Sequence, residues 1–353
     1  MPFKKKKPLR IGIIGLGKIS DIHFEAFLHN RNVTIAALSD IHRDLLRQKA
    51  DQFHIDTYAT DYRKILQDST LDVIDVLLPH NLHADCVIAA LRAGKHVICE
   101  KPLAITIRDI DRIAKASFIA KRSVHVKHYF RYASLHKQLQ GMLIKKTIGK
   151  PYLITVLYTT NSIDMFGDRS SWRGDLKKSG GGVLMDNGFH MIDLLQSYFG
   201  PPRSVYSVSQ KLSTPLPQKG EDVSVTVLTY SNNLTATLVC TSCDTSLGNR
   251  WEKRFLGTSG SIVLEDHGKE RMTLNVWKDN NIVSSQTEQN WWNTTNIRAL
   301  NDCIDRIQSG RPPAVSLSES RLALQTVFLA YRSARIEKVV RLPKTSKNYD
   351  RMG

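Results

Sequence analysis

The feature that most constrains this chain is a strand that ends on two glycines. Leu9 to Ile14 is a short apolar run; Gly15-x-Gly17-x-x-Ser20 follows at once and opens a helical pattern marked by Ile22, Ala26 and Phe27. Glycines at this point permit a tight turn and a close approach of backbone to a ligand, while the helix start offers unpaired N–H groups and a positive dipole end. Ser20 stands where a third glycine is usual and is small enough for helix-on-strand packing. Taken alone, such a turn fits an empty connection as well as a phosphate cradle. Its surroundings narrow the choice. Val33 to Leu38 reads as a second strand with Asp40 at its end, about 25 residues past Gly15, where a dinucleotide fold places the acid that meets ribose hydroxyls. A carboxylate there repels a 2′-phosphate and favours NAD over NADP, with Arg43 nearby softening the preference; the alternative is that Asp40 caps the next helix.

The alternation continues. Tyr62 to Leu66 reads as helix, Val73 to Leu78 as strand, Ala84 to Ala93 as helix ended by Gly94, His96 to Cys99 as strand, Ile107 to Ala120 as helix and Ser123 to Val126 as strand. This order predicts a doubly wound parallel sheet, with ligands at the carboxyl ends of its strands. Pro79-His80-Asn81-Leu82-His83 and Glu100-Lys101-Pro102 occupy two such ends. A lysine held beside a proline at that position is a candidate for the chemistry.

At 353 residues the chain has room for two domains. Beyond Lys150-Pro151 the texture changes: short β-branched runs from Tyr152 to Val276, joined by polar links, predict a large, mostly antiparallel sheet, and Asn293 to Gln308 and Ser318 to Ala334 read as its closing helices. The expected fold is therefore α/β plus α+β: a nucleotide-binding domain over 1–128, a substrate and oligomerisation domain over 129–343 whose open sheet carries helices on one face, and a basic tail over 344–353. No apolar run approaches the ~18 residues that span a bilayer, and no signal-peptide core precedes the first strand. The five cysteines are few, odd in number and scattered, which points to reduced thiols and a cytoplasmic protein. The net charge of +17 is dispersed, apart from Lys4 to Lys7 and the tail, and no nucleic-acid motif accompanies it; an anionic substrate is the alternative use.

Gly180-Gly181-Gly182 leads into a helix to Phe199. Leu184, Gly188, Met191, Leu195 and Phe199 form the stripe expected to face the core. Asp186, His190 and Asp193, at i, i+4 and i+7, fall on another face. That is either a solvated polar stripe or a histidine base oriented by carboxylates. The three glycines imply a close approach to something. Cys240-Thr241-Ser242-Cys243 lacks a second ligand pair and reads as strand, and Trp291-Trp292 reads as packing before sugar stacking.

The chain resembles the glucose–fructose oxidoreductase / inositol dehydrogenase / MocA (Gfo/Idh/MocA) family. The resemblance rests on Gly15-Leu16-Gly17-Lys18-Ile19-Ser20 with His23, Ala93-Gly94-Lys95-His96-Val97 running into Glu100-Lys101-Pro102, Ser171-Trp172-Arg173, the Asp186/His190 helix ending in Phe199-Gly200, Gly257-Thr258-Ser259-Gly260 and Ala330-Tyr331-Arg332-Ser333-Ala334. It implies an NAD(P)-dependent dehydrogenase of a sugar, cyclitol or nucleotide sugar. Catalysis would fall to Lys101, His190 and Asp186. Cofactor contacts would come from Gly15, Gly17, Lys18, Ile19, Ser20, Asp40, Arg43, Pro79, Asn81, His83, Glu100 and Lys101. Trp172 and Arg173 would join Asp186 and His190 on the substrate side; Arg131, which follows a strand end, is a further substrate-side candidate from its position alone. The resemblance also implies a cis Lys101–Pro102 bond; the uncovered apolar face of the second sheet, together with the family's habit of pairing through it, predicts a homodimer or homotetramer, and the sequence itself gives no sign of a metal, membrane or nucleic-acid partner. The competing expectations are a dihydrodiol-dehydrogenase-like aldehyde or enone reductase and a dinucleotide-sensing regulatory protein without turnover.

Overall fold

In a computed structural model, residues 7–162, 171–211, 220–244 and 250–343 are described. Lys4 to Lys6 and the basic tail lie outside them. The chain forms two compact units. One comprises the residues up to Tyr129 together with Asn296–Ser320; the other comprises Phe130–Thr295 and the chain from Arg321.

The first unit is built on a six-stranded parallel sheet. Its strands are β1 (Leu9–Ile14), β2 (Val33–Ser39), β3 (Tyr58–Ala59), β4 (Val73–Val76), β5 (His96–Cys99) and β6 (Val124–Val126), in the order β3-β2-β1-β4-β5-β6. The order reverses between β1 and β4, which is where an open α/β sheet receives its ligand. Helices α1 (Ser20–Leu28), α2 (Arg43–Phe53), α3 (Tyr62–Leu66), α4 (His80–Arg92) and α5 (Ile107–Ala120) connect the strands. Strand β4 stops at Val76 and α4 begins at His80, four residues before the helix read from the sequence. Asn81 and His83 therefore lie in the first turn of a helix rather than in a loop. Ile11, Ile13, Leu16, Phe24, Phe27 and Leu38 form one face of the core.

The second unit holds a nine-stranded sheet. After α6 (Ser134–Ile144) come β7 (Pro151–Thr159), α7 (Phe189–Phe199), β8 (Ser204–Gln210), β9 (Val223–Thr229), β10 (Thr235–Thr241), β11 (Arg250–Gly257), β12 (Gly260–His267), β13 (Arg271–Lys278), β14 (Asn281–Gln289) and, at the far end, β15 (Val340–Arg341). The order is β14-β13-β12-β11-β7-β10-β9-β8-β15. Every pairing is antiparallel except β7 with β10. In β9 and β10 alternate residues are buried, such as Ser224, Thr226 and Leu228 and then Ala236, Leu238 and Cys240; their neighbours are half-covered or exposed. This is the period of a sheet covered on one face.

The helix expected to close this second sheet, α8 (Trp291–Ser309), is shared. Its first turn belongs to the second unit, while Leu300, Cys303, Ile304 and Ile307 complete the core of the first. Their i, i+3, i+4, i+7 spacing makes an apolar stripe that fits either surface, so periodicity located the helix without saying what it packs on. Helix α9 (Leu317–Ile336) follows.

Candidate active site

The turn after β1 behaves as its glycines require. Gly15 has φ +95°, and a Cβ there would sit 2.6 Å from the Leu77 carbonyl oxygen. At Gly17 a Cβ would meet nothing within 4 Å, so this glycine borders open space. Helix α1 starts without a side-chain cap. Asp40 supports the turn from β2: Oδ2 accepts the Leu16 N–H at 2.7 Å and Oδ1 accepts the His42 N–H at 2.8 Å. Each carboxylate oxygen keeps a second lone pair.

Two buried polar atoms here have no protein partner: Ser20 Oγ, at the first residue of α1, and Asn81 Oδ1, in the first turn of α4. Buried polar groups are nearly always satisfied, so orphans beside a glycine cradle at the switch point of the sheet fit a bound dinucleotide. Lys18 and Arg43 are exposed, and Ile19 and Pro79 are half-buried. His83 is buried and bridges two backbones, its Nδ1 2.8 Å from the Pro102 carbonyl oxygen and its Nε2 2.7 Å from that of Leu78. Burial lowers its pKa, against the pull of the two carbonyls.

The Lys101–Pro102 bond is cis. Glu100, just before it, is held from inside the unit. Its Oε1 lies 2.5 Å from Lys127 Nζ and 3.2 Å from His23 Nε2, while Oε2 accepts the Lys101 N–H at 3.2 Å. His23 Nδ1 lies 2.7 Å from Asp75 Oδ2. Burial raises the Glu100 carboxyl, but Lys127 and His23 outweigh it and hold the group well below the usual carboxylate range. Asp75 and Lys127 were not singled out from the sequence. Their only signal was an ionisable residue inside or just after a short buried strand.

In the second unit the approach to α7 departs from the expected continuous α-helix. Leu184–Gly188 forms one turn of π-helix before α7 begins at Phe189. Asp186 lies in that turn and His190 in the first turn of α7, so the i, i+4 spacing is not that of a regular α-helix; π-turns recur at functional sites. The solvated-stripe reading fails: Asp186, His190 and Asp193 are 9%, 7% and 2% exposed. Asp186 Oδ2 accepts the Arg173 Nε–H at 3.2 Å, and the Arg173 guanidinium lies 4.4 Å from the Trp172 ring centroid. Arg131 donates from Nε and Nη2 to both oxygens of Asp193, at 2.9 and 2.7 Å. The His190 ring packs on Phe130, centroids 5.2 Å apart. The structure thus brings Trp172, Arg173 and Asp186 into one group and joins Arg131 to Asp193 in another.

The glycine triplet is also accounted for. A Cβ on Gly181 would lie 2.1 Å from Tyr331 Oη, and one on Gly182 would lie 2.0 Å from the Glu221 carbonyl oxygen. The close approach is to the protein itself. Glu221 accepts N–H bonds from Gly182 at 3.0 Å and Leu184 at 2.9 Å and the Tyr331 hydroxyl at 2.9 Å. A buried carboxylate thereby anchors the π-turn, although burial pushes its pKa up against these donors. Cys240 is buried in β10, Trp291 is fully buried with its Nε1–H on the Gly268 carbonyl at 2.8 Å, and no metal-binding cluster occurs among the described residues.

The sequence profile described as "oxidoreductase family, NAD-binding Rossmann fold" matches residues 9–128, and that of the same family's C-terminal alpha/beta domain matches residues 141–342. Myo-inositol 2-dehydrogenase of Thermotoga maritima is 25% identical over 338 residues, covering 95% of this chain and 98% of that protein. Levoglucosan dehydrogenase of Pseudarthrobacter phenanthrenivorans is 26% identical over 307 residues, covering 75% of this chain and 76% of that protein. A levoglucosan dehydrogenase structure in complex with NADH and levoglucosan superposes with a TM-score of 0.86 at 22% identity, covering 96% of this chain and all of that one. Both halves of the chain are thus matched by a single family, and the protein belongs to the Gfo/Idh/MocA oxidoreductases, with an NAD-binding Rossmann domain and the family's C-terminal alpha/beta domain.

Proposed function

We propose that this protein is an NAD-dependent dehydrogenase acting on a hydroxyl-bearing carbon of a sugar or cyclitol, with Lys101, His190 and Asp186 as its catalytic residues. The observation that carries the reading is that Asp186, in a π-turn anchored by Glu221, and His190, in the first turn of the helix that follows, are both buried. A carboxylate and an imidazole kept from water in this way suit proton removal from a hydroxyl. His190 takes the hydroxyl proton, Asp186 orients or polarises, and the Lys101 ammonium stabilises the developing alkoxide. Bound NAD would supply the hydride acceptor for this step. Gly15, Gly17 and Ser20 would hold its pyrophosphate, Asp40 its adenosine ribose, and Asn81 and Glu100 its nicotinamide end. Lys18, Ile19, Arg43, Pro79 and His83 border or support that cradle. Asp40 favours NAD over NADP. Trp172 and Arg173 offer a face and a charge to the substrate, including an anionic one, and Arg131 serves through Asp193. The inositol and levoglucosan specificities of the relatives support the substrate class.

Replacing Lys101 with Met or His190 with Ala should lower kcat by ~10²–10⁴-fold while NADH affinity, read by fluorescence titration, stays close to wild type. The assay is NAD reduction with a panel of cyclitols and anhydrosugars. Wild-type rates in both variants would place the chemistry elsewhere. The boundary near residue 128 is part of the same reading, with 296–320 added to the cofactor unit. We also read the protein as cytoplasmic, supported by five cysteines that form no disulfide among the described residues, and as a homodimer or homotetramer pairing through the second sheet. Support for that pairing is the apolar patch of Tyr206, Val208 and Val225, each more than a third exposed on adjacent strands.

A further inference from the structure

Lys127 is a buried cation that the chemistry above leaves without a task. It is 1% exposed and lies immediately after β6. It touches the Cys99-Glu100-Lys101 stretch twice: its backbone N–H donates to the Cys99 carbonyl at 2.9 Å, and its ammonium meets Glu100 Oε1 at 2.5 Å. The same ammonium lies 2.9 Å from His23 Nε2. An ammonium has only donors, so His23 Nε2 accepts, and His23 Nδ1–H is left to donate to Asp75. Glu100 Oε1 and His23 Nε2 are then two acceptors bridged by one cation. The other oxygen of Glu100 takes the Lys101 N–H.

We propose that Lys127 is a positioning residue: through Glu100 and Cys99 it fixes the backbone that presents Lys101 and orients the Glu100 carboxylate at the carboxyl end of β5. The ionisable groups facing Glu100 are Lys127 after β6, His23 on α1 with Asp75 of β4 behind it, His83 on α4, and Lys101 on its own segment. Lys127 is the cation in closest contact with the carboxylate. Without it, His23 alone remains to oppose burial, and the Glu100 carboxyl moves up from its lowered position. The assignment rests on the proposed role of Lys101 only for its catalytic consequence; its effect on Glu100 is readable from cofactor binding alone.

The test is NADH titration by fluorescence from pH 5.5 to 9 on the full-length protein, for wild type, Lys127→Met, Glu100→Gln and Lys127→Met/Glu100→Gln. Lys127→Met should acquire a pH step in NADH affinity of ~10-fold that wild type lacks, the size expected for one charge changing beside the ligand. The double variant should lose the step and bind within ~3-fold of Glu100→Gln, because the two residues act as one unit. A flat profile in Lys127→Met, or a step that survives in the double variant, overturns the assignment. If Lys127→Met does not fold, folding of the double variant supports the coupling; failure of both assigns Lys127 to packing and overturns it. Failure of the Lys101 reading would appear instead as full turnover in Lys101→Met, with these profiles unchanged.

Discussion

Lys253 and Asp266 form an ion pair inside the second unit, and removing one partner should be far more damaging than removing both. Lys253 Nζ lies 2.8 Å from Asp266 Oδ2, with side chains 1% and 0% exposed. The pair spans neighbouring strands β11 and β12, and the ammonium also lies 5.4 Å from the Phe130 ring. Burial raises the Asp266 carboxyl and lowers the Lys253 ammonium, and the attraction between them opposes both shifts. Asp266 Oδ1 is buried without a hydrogen-bond partner, so among the described residues the Lys253 ammonium supplies the side-chain hydrogen bond to this carboxylate. Lys253→Met leaves an uncompensated buried charge, a loss of ~3–5 kcal/mol. At ~2–4 °C per kcal/mol for a unit of this size, the melting temperature should fall by about 10 °C. Lys253→Met/Asp266→Leu should recover to within ~1 kcal/mol of wild type or exceed it. The pH dependence has a definite direction. In the single variant Asp266 has a folded pKa above its unfolded value of 3.8, so the folded protein binds the extra proton and the deficit shrinks as pH is lowered from 8 toward 5. Thermal melts of the three proteins at several pH values provide the assay. A double variant as unstable as the single one, with a pH-independent deficit, would refute the reasoning and assign the loss to packing.

His125 is buried on β6, and burial lowers its pKa from 6.5 to about 4. The unfolded chain takes up a proton before the folded one does, so stability falls as pH drops from 6.5 to 4, by about 3 kcal/mol from this residue. Urea midpoints should show His125→Leu losing less than wild type across that window; parallel curves would refute the assignment. Gly182→Ala should cut kcat at least tenfold with NADH affinity unchanged, because the new methyl collides with the Glu221 backbone and shifts the π-turn; an unchanged kcat would detach that turn from the chemistry. Light scattering at micromolar protein should give a mass of two or four chains, and covering the sheet face with Val225→Lys should reduce it; a monomer mass for wild type would remove the pairing proposal.

Local pattern revealed those parts of the molecule that local pattern determines. The β1–Gly15–α1 turn and the strand–helix alternation after it are short-range signals. So is the Asp186/His190 spacing, although not its π geometry, since one extra residue per turn leaves the same letters in the same order. Strand β14 escaped because Asn281–Gln289 is an edge strand, mostly exposed and polar on both faces. Lys127 and Asp75 were silent for a different reason. Both meet His23, 104 and 52 residues away, and Lys127 meets Glu100 across two strand ends; a buried charge declares itself only when the strands that bring its counter-charge are paired. The glycine triplet was read correctly as a close approach, yet the neighbour was Glu221 and Tyr331, which no spacing rule connects to it.

The return of α8 to the first unit has a consequence for synthesis. Leu300, Cys303, Ile304 and Ile307 belong to the same apolar core as Ile11, Phe24 and Phe27. A ribosome adds about 5–20 residues per second, so the stretch from Tyr129 to Asn296 takes about 10–30 s. Throughout that interval the nucleotide-binding sheet is complete in hydrogen bonds but bare along one apolar strip. A nascent chain stalled near residue 130 should therefore attract chaperones and resist isolation as a native fragment, whereas the same segment supplied with the α8 helix should close. Exchange of cofactor domains between relatives would likewise have to carry both pieces of chain.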